Sequence, residues 1–173
     1  MVYYPNIEKE LRIDHADLNK LVKSIFLKCG MSNNDASTVT DSLIHADLRG
    51  IHSHGVIRVP DYVKKLTIDG VDPTGNPTII KQFGGLSTVN GHNSMGQVGS
   101  KFSMLHAIYK AKQFGISYVS LEGSNHCGAL DWYSLMASKE NCVGIVGTNA
   151  LPTMAPWGGM DKIVGINPIS ISF

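Results

Sequence analysis

Apolar residues recur at Leu18, Leu21, Val22, Ile25 and Phe26, after Asp14 and before Gly30. Steps of three and four lay such residues along one side of a helix, with Asp14 as N-cap and Gly30 as the stop. A second helix is predicted from Ser32, which with Asp35 forms a capping box carrying Asp in place of Glu. Its face is Ala36, Val39, Leu43 and Ala46, and it ends before Gly50. A third, shorter helix has Pro60 in its first turn, then Tyr62, Val63 and Leu66, up to Gly70.

Beyond the turn-rich "DGVDPTGNP" the period shortens. "TIIKQF" and "LSTVNG", joined at Gly84-Gly85, predict a hairpin. Residues 97–114 predict a helix with Val98, Phe102, Leu105, Ile108 and Tyr109 on one face, leading through Gly115 to the short apolar strand "ISYVSL". That helix-to-strand step belongs to a layered α/β unit. "ALDWYSLMASKEN" predicts another helix, and "VGIVGTN" and "IVGINPISISF" predict strands. The fold class is therefore α/β: a helical N-terminal subdomain over residues 1–75, then a layered α/β domain over 76–173. The final strand pattern meets the last residue with no closing turn, so we expect an incomplete domain with apolar surface left open.

Composition narrows the function classes. The chain has 173 residues, 43% hydrophobic and 17% charged, with Lys+Arg 15 against Asp+Glu 14. Such a chain folds around a core, and a charge balance without basic clusters gives no footprint for nucleic acid. The opening "MVYYPNIEKELRID" lacks the apolar core of a signal peptide, and no apolar run reaches the ~20 residues of a membrane span. A cytoplasmic protein is the expectation. Cys29, Cys127 and Cys142 are odd in number and lack CxxC spacing, so buried reduced thiols are expected.

The chemistry concentrates in "RGIHSHGVIRVP". One reading is a metal site. His45, Asp47, His52 and His54 fall within ten positions, and His-x-His on a loop can bring two imidazoles to one ion. A metal-dependent hydrolase using His52 and His54 would follow. The other reading is acid/base chemistry: a histidine titrates near neutrality, and the Arg58 fork of donors suits a carboxylate. Ser53 would add a hydroxyl to the same keto or hydroxy acid. The competing structural role for Arg58 is an ion pair with Asp61.

His126, in "EGSNHCGALDWY", leaves a strand through a polar turn toward a helix. A helix N-terminus disfavours positive charge, so an imidazole there would stay neutral and donate a hydrogen bond. Ser124 or Asn125 as a simple cap is the alternative. "GHNSMGQVGSK" has phosphate-loop glycine spacing, but Gln97 and Val98 stand where Lys and Ser/Thr belong, and no GxGxxG follows a strand.

Taken together, "HADLRGIHSHGVIRVPDYVKKL", "GQVGSKFSMLHAI", "GSNHCGALDWY", "GIVGTNALPTMAPWGG" and "VGINPI" resemble the malate/L-lactate dehydrogenase family from about residue 14 to the end. The resemblance implies an NAD- or NADP-dependent oxidoreductase that interconverts 2-keto and 2-hydroxy acids on a non-Rossmann cofactor fold. It also implies a homodimer with the nicotinamide near the subunit interface; no metal is expected at the site. By the same resemblance, His54 and His126 are the candidate proton-transfer residues, with His54 favoured for reduction beside Ser53 and Arg58. Arg58 would contact the substrate carboxylate; Asn149, Ala150 and Asn167 would face the cofactor. Ile166 stands where the family more often has Thr, so a hydroxyl contact is lost there. Members are about twice as long as this chain, so residues 76–173 correspond to an incomplete cofactor-binding domain. Little or no cofactor binding is expected of the 173-residue chain by itself, and a non-catalytic fragment acting through a partner chain is a third reading.

Overall fold

The structure, a computed structural model, describes residues 12–68 and 70–173; the segment read as lacking a signal-peptide core lies, up to residue 11, outside them. Three helices open the described chain: α1 (His15–Lys28), α2 (Asn33–Leu48) and α3 (Val59–Thr67). The Asp14 carboxylate accepts from the amides of Ala16 and Asp17, and Ser32 Oγ accepts from Asp35 N at 3.1 Å. Each cap satisfies amides that a helix start leaves without partners. Between α2 and α3 the chain makes two single 3-10 turns, His52–His54 and Val56–Arg58.

The hairpin forms as expected. β1 (Thr78–Phe83) and β2 (Leu86–Asn90) pair antiparallel across Gly84-Gly85, where Gly84 has φ 55°. α4 (Gly96–Phe114) then crosses to β3 (Tyr118–Glu122), which pairs parallel with β2, so the three-stranded sheet is mixed. α5 (Asp131–Ser138) precedes β4 (Gly144–Gly147) and β5 (Ile169–Ser172), an antiparallel pair. Among the described residues, no helix is long and apolar enough to cross a membrane.

Val22, Phe26, Ala36, Val39, Leu43, Tyr62 and Leu66 interlock in one apolar core, joined by Val71 and by Met95 from the residue before α4. Burying each large side chain contributes roughly 1.5–3 kcal/mol. This cluster carries α3, and with it Arg58 and Tyr62, on rigid support.

Three expectations need correction. Leu21 is exposed rather than part of the α1 stripe. On α4 the buried positions are Gly96, Gln97, Gly99, Ser103 and Ile108, while Leu105 and Tyr109 face outward. The small residues win because they permit close approach: a Cβ on Gly96 would fall on the carbonyl oxygens of Asn125 and His126, and one on Gly99 would touch the Leu121 side chain. The cysteines are free but only half-buried, since Cys29 caps α1 at the rim of the core rather than inside it. The expected open apolar surface is present: Leu151, Trp157, Met160 and Phe173 are all largely exposed.

Candidate functional site

α3 begins immediately after Arg58, and Tyr62 follows four residues on, so the two side chains share one side of the helix. They line a cavity of about 310 Å³ with Asp61, Lys64, Lys65, Ile68 and His126. Three of its seven lining side chains are cationic, which suits an anionic ligand.

His126 arrives from the loop between β3 and α5. It lies five residues before α5 begins, so it is not a helix N-terminal residue, and neither Ser124 nor Asn125 caps that helix, whose N-cap is Leu130. Asn125 instead donates from Nδ2 to Asn93 O, Asn93 Oδ1 and Ser94 O, pinning the loop. The expectation of a neutral imidazole holds, but for a different reason. Burial, then the charges of His54, Arg58 and Lys65, lower the His126 pKa to about 4.

Around the His126 ring, Tyr62 Oη lies 2.7 Å from Nδ1, the Gly128 amide donates to Nδ1 at 3.3 Å, and Gln97 Nε2 donates to Tyr62 Oη at 3.0 Å. Burial also pushes the Tyr62 hydroxyl up to about 12, so it remains a phenol. With Nδ1 occupied, Nε2 is the ring nitrogen left for a ligand.

His54 stacks on His126 with ring centroids 5.7 Å apart and planes 22° to each other. Burial and the Arg58 charge hold its pKa below the usual histidine range, while the Asp131 carboxylate acts in the opposite direction. Ser53 Oγ lies 2.9 Å from His54 Nδ1. Arg58 Nε donates to the Ser53 carbonyl at 2.7 Å, and Arg58 Nη1 reaches Asp61 Oδ2 only at 3.5 Å. The ion pair with Asp61 thus exists but is long, and much of the guanidinium fork remains available.

The residues behind the metal reading separate into other pairs. His52 Nδ1 lies 2.9 Å from Asp47 Oδ1, while Asp47 Oδ2 accepts from Val56 N at 2.7 Å. His45 Nε2 and Arg49 Nε both reach Asp131 Oδ2, at 3.1 Å and 2.8 Å. Among the described residues no three His, Cys, Asp or Glu side chains gather where an ion would sit. Asp47 braces the loop instead: a Cβ on Gly55 would fall on its carboxylate.

Asn149, Ala150 and Asn167 form a second cluster, in which Asn167 Oδ1 accepts from the Ala150 amide at 2.8 Å. No hydrogen bond among the described residues joins it to His54, Arg58 and His126. Reasoning from sequence missed Tyr62 and Asp131, and dismissed Gln97 as the wrong residue for a phosphate loop. The step of four from Arg58 to Tyr62 was the available signal; the long-range approach of Gln97 and Asp131 left none.

Comparison with known proteins agrees with this architecture. A sequence profile described as malate/L-lactate dehydrogenase matches residues 13–173. The L-sulfolactate dehydrogenase of Methanocaldococcus jannaschii is 36% identical over 173 residues, covering 100% of this chain and 47% of that protein. The malate dehydrogenase of Pyrococcus abyssi is 39% identical over 165 residues, covering 95% and 46%. The solved malate dehydrogenase of Pyrococcus horikoshii superposes with a TM-score of 0.91 at 38% identity, over 93% of this chain and 46% of that one. The chain thus spans about half the length of the relatives it matches. Matching over nearly all of its own length in sequence and in fold, it belongs to the malate/L-lactate dehydrogenase family.

Proposed function

We propose that these residues serve an NAD- or NADP-dependent oxidoreductase that interconverts a 2-keto acid and a 2-hydroxy acid, acting as a homodimer. The observation that carries the reading is that Arg58 and His126 line the same cavity. An acid of this class needs an anion clamp and a proton-transfer group close together, and little else from the protein at its reacting carbon.

Arg58 binds the carboxylate of the keto acid through its planar fork, with Lys64 and Lys65 adding positive charge. His126 presents Nε2 to the carbonyl oxygen. Because the Arg58 charge helps hold His126 neutral, a carboxylate seated on Arg58 offsets that charge and favours proton uptake at Nδ1, which then donates to Tyr62 Oη instead of accepting from it. The Nε2 proton then passes to the carbonyl oxygen. The acid role favoured for His54 on sequence is assigned here to His126, because His126, and not His54, lines the cavity with Arg58. His54 stacks behind the ring and fixes its plane.

Asn149 and Asn167 are exposed, and because Asn167 Oδ1 accepts from Ala150 N, its amide nitrogen is the donor left for a ligand. That donor set fits a carboxamide, and these residues would hold a nicotinamide. Hydride transfer to the carbonyl carbon is the chemistry such a cofactor supplies when bound.

The test is NADH and NADPH oxidation by the natural protein, its intact mass measured in parallel, against a panel of 2-keto acids including pyruvate and oxaloacetate. Oxidation that depends on one keto acid is expected. A folded protein of its natural length that turns over none of them, or that carries stoichiometric zinc and hydrolyses a substrate, would overturn the reading.

A further inference from the structure

Gln97 is fully buried in the first turn of α4, and its Oε1 has no hydrogen-bond partner among the described residues. Its Nε2 donates to Tyr62 Oη at 3.0 Å, and Tyr62 Oη stands 2.7 Å from His126 Nδ1. An amide nitrogen only donates. Tyr62 Oη therefore accepts from Gln97 and keeps its own hydrogen for Nδ1. The far end of the chain agrees independently, because the Gly128 backbone N–H, which has no alternative role, also points at Nδ1. Both donors require a lone pair on Nδ1, so the neutral ring carries its hydrogen on Nε2.

We propose that Gln97 is a positioning residue that sets the tautomer of His126 through Tyr62; the proposal rests on the proton-donor role assigned above to His126. Turning the Gln97 amide over would place Oε1 against Oη. The phenol hydrogen would then swing toward Gln97, and Nδ1 would face an oxygen lone pair instead of a donor. A crowded site holds the parts in place, since a Cβ on Gly128 would lie 3.4 Å from Gln97 Nε2 and 3.3 Å from Ser42 Oγ.

The test is nitrogen NMR of the His126 ring in the protein without keto acid or cofactor, with the signal assigned by its loss in His126→Gln. The wild type should show an unprotonated Nδ1 and a protonated Nε2 at neutral pH. Gln97→Glu replaces the donor by an acceptor of the same shape, so Tyr62 turns toward it and Nδ1 gains a proton. Gln97→Asn, too short to reach Tyr62, should give partial occupancy and serves if the Glu variant does not fold. A protonated Nδ1 in the wild type, or ring-nitrogen shifts unchanged in whichever variant folds, would overturn the proposal. Because no turnover is involved, a wrong reaction assignment leaves these spectra unmoved, and a wrong tautomer shows only in them.

Discussion

The rings of His54 and His126 stack at a centroid separation of 5.7 Å, although 72 positions separate them in the chain. Of the two, His126 lines the cavity with Arg58. On the function proposed above the two histidines differ in role: His126 would face the keto acid, and His54 would support its ring.

Substitution should separate these roles. His126→Gln in the natural protein is expected to lower the rate of keto-acid reduction by about 10²–10⁴, the range for loss of a positioned general acid. His54→Ala should cost less, because it removes a supporting ring. Steady-state kcat/KM for both variants decides between them, and a larger loss at His54 would return the acid role to it.

Arg58→Lys keeps the charge but loses the planar pair of donors. Weaker binding of the keto acid is expected, seen as a raised KM with a smaller change in kcat. Equal falls in kcat and kcat/KM would instead mean that the guanidinium acts mainly in the transition state.

The depressed pKa of His126 also predicts how stability varies with acidity. Its folded value is about 4 against 6.5 for the free side chain. Between those two values the unfolded chain binds the proton and the folded chain does not, so stability is fully present above about pH 6.5 and falls as the pH drops toward 4. His54 is shifted in the same direction by burial and by Arg58, and adds to the fall. Denaturant unfolding at a series of pH values should show this slope, and His126→Gln should flatten it.

Gly96→Ala is expected to destabilise the fold by roughly 1–3 kcal/mol, the cost of forcing a methyl into a packed contact. The carbonyls of Asn125 and His126 lie where the new Cβ would go, so the loop carrying His126 must move. A lowered denaturation midpoint accompanied by lost keto-acid turnover is the expected pair of results.

Much of this molecule follows from local rules. The caps at Asp14 and Ser32, the stop at Gly30, the Gly84-Gly85 turn and the first-turn Pro60 are each chosen by neighbours within a few residues, and each forms where the pattern places it. The family motifs around His54, Arg58 and His126 are likewise contiguous strings, and could be read as such.

Tertiary structure decided the rest. Which side of α4 goes inward was settled by how closely glycine backbone could approach the loop at Asn125 and His126, a contact across about thirty residues that outweighs the apolar stripe of Leu105 and Tyr109. Whether His52 met a metal or Asp47 depended on how the loop folded back on α2. The neutrality of His126 came from burial and from charges brought near by packing, not from a helix end. Periodicity and capping act over one or two turns, whereas desolvation and hydrogen-bond direction at a site depend on groups that only the folded chain brings together.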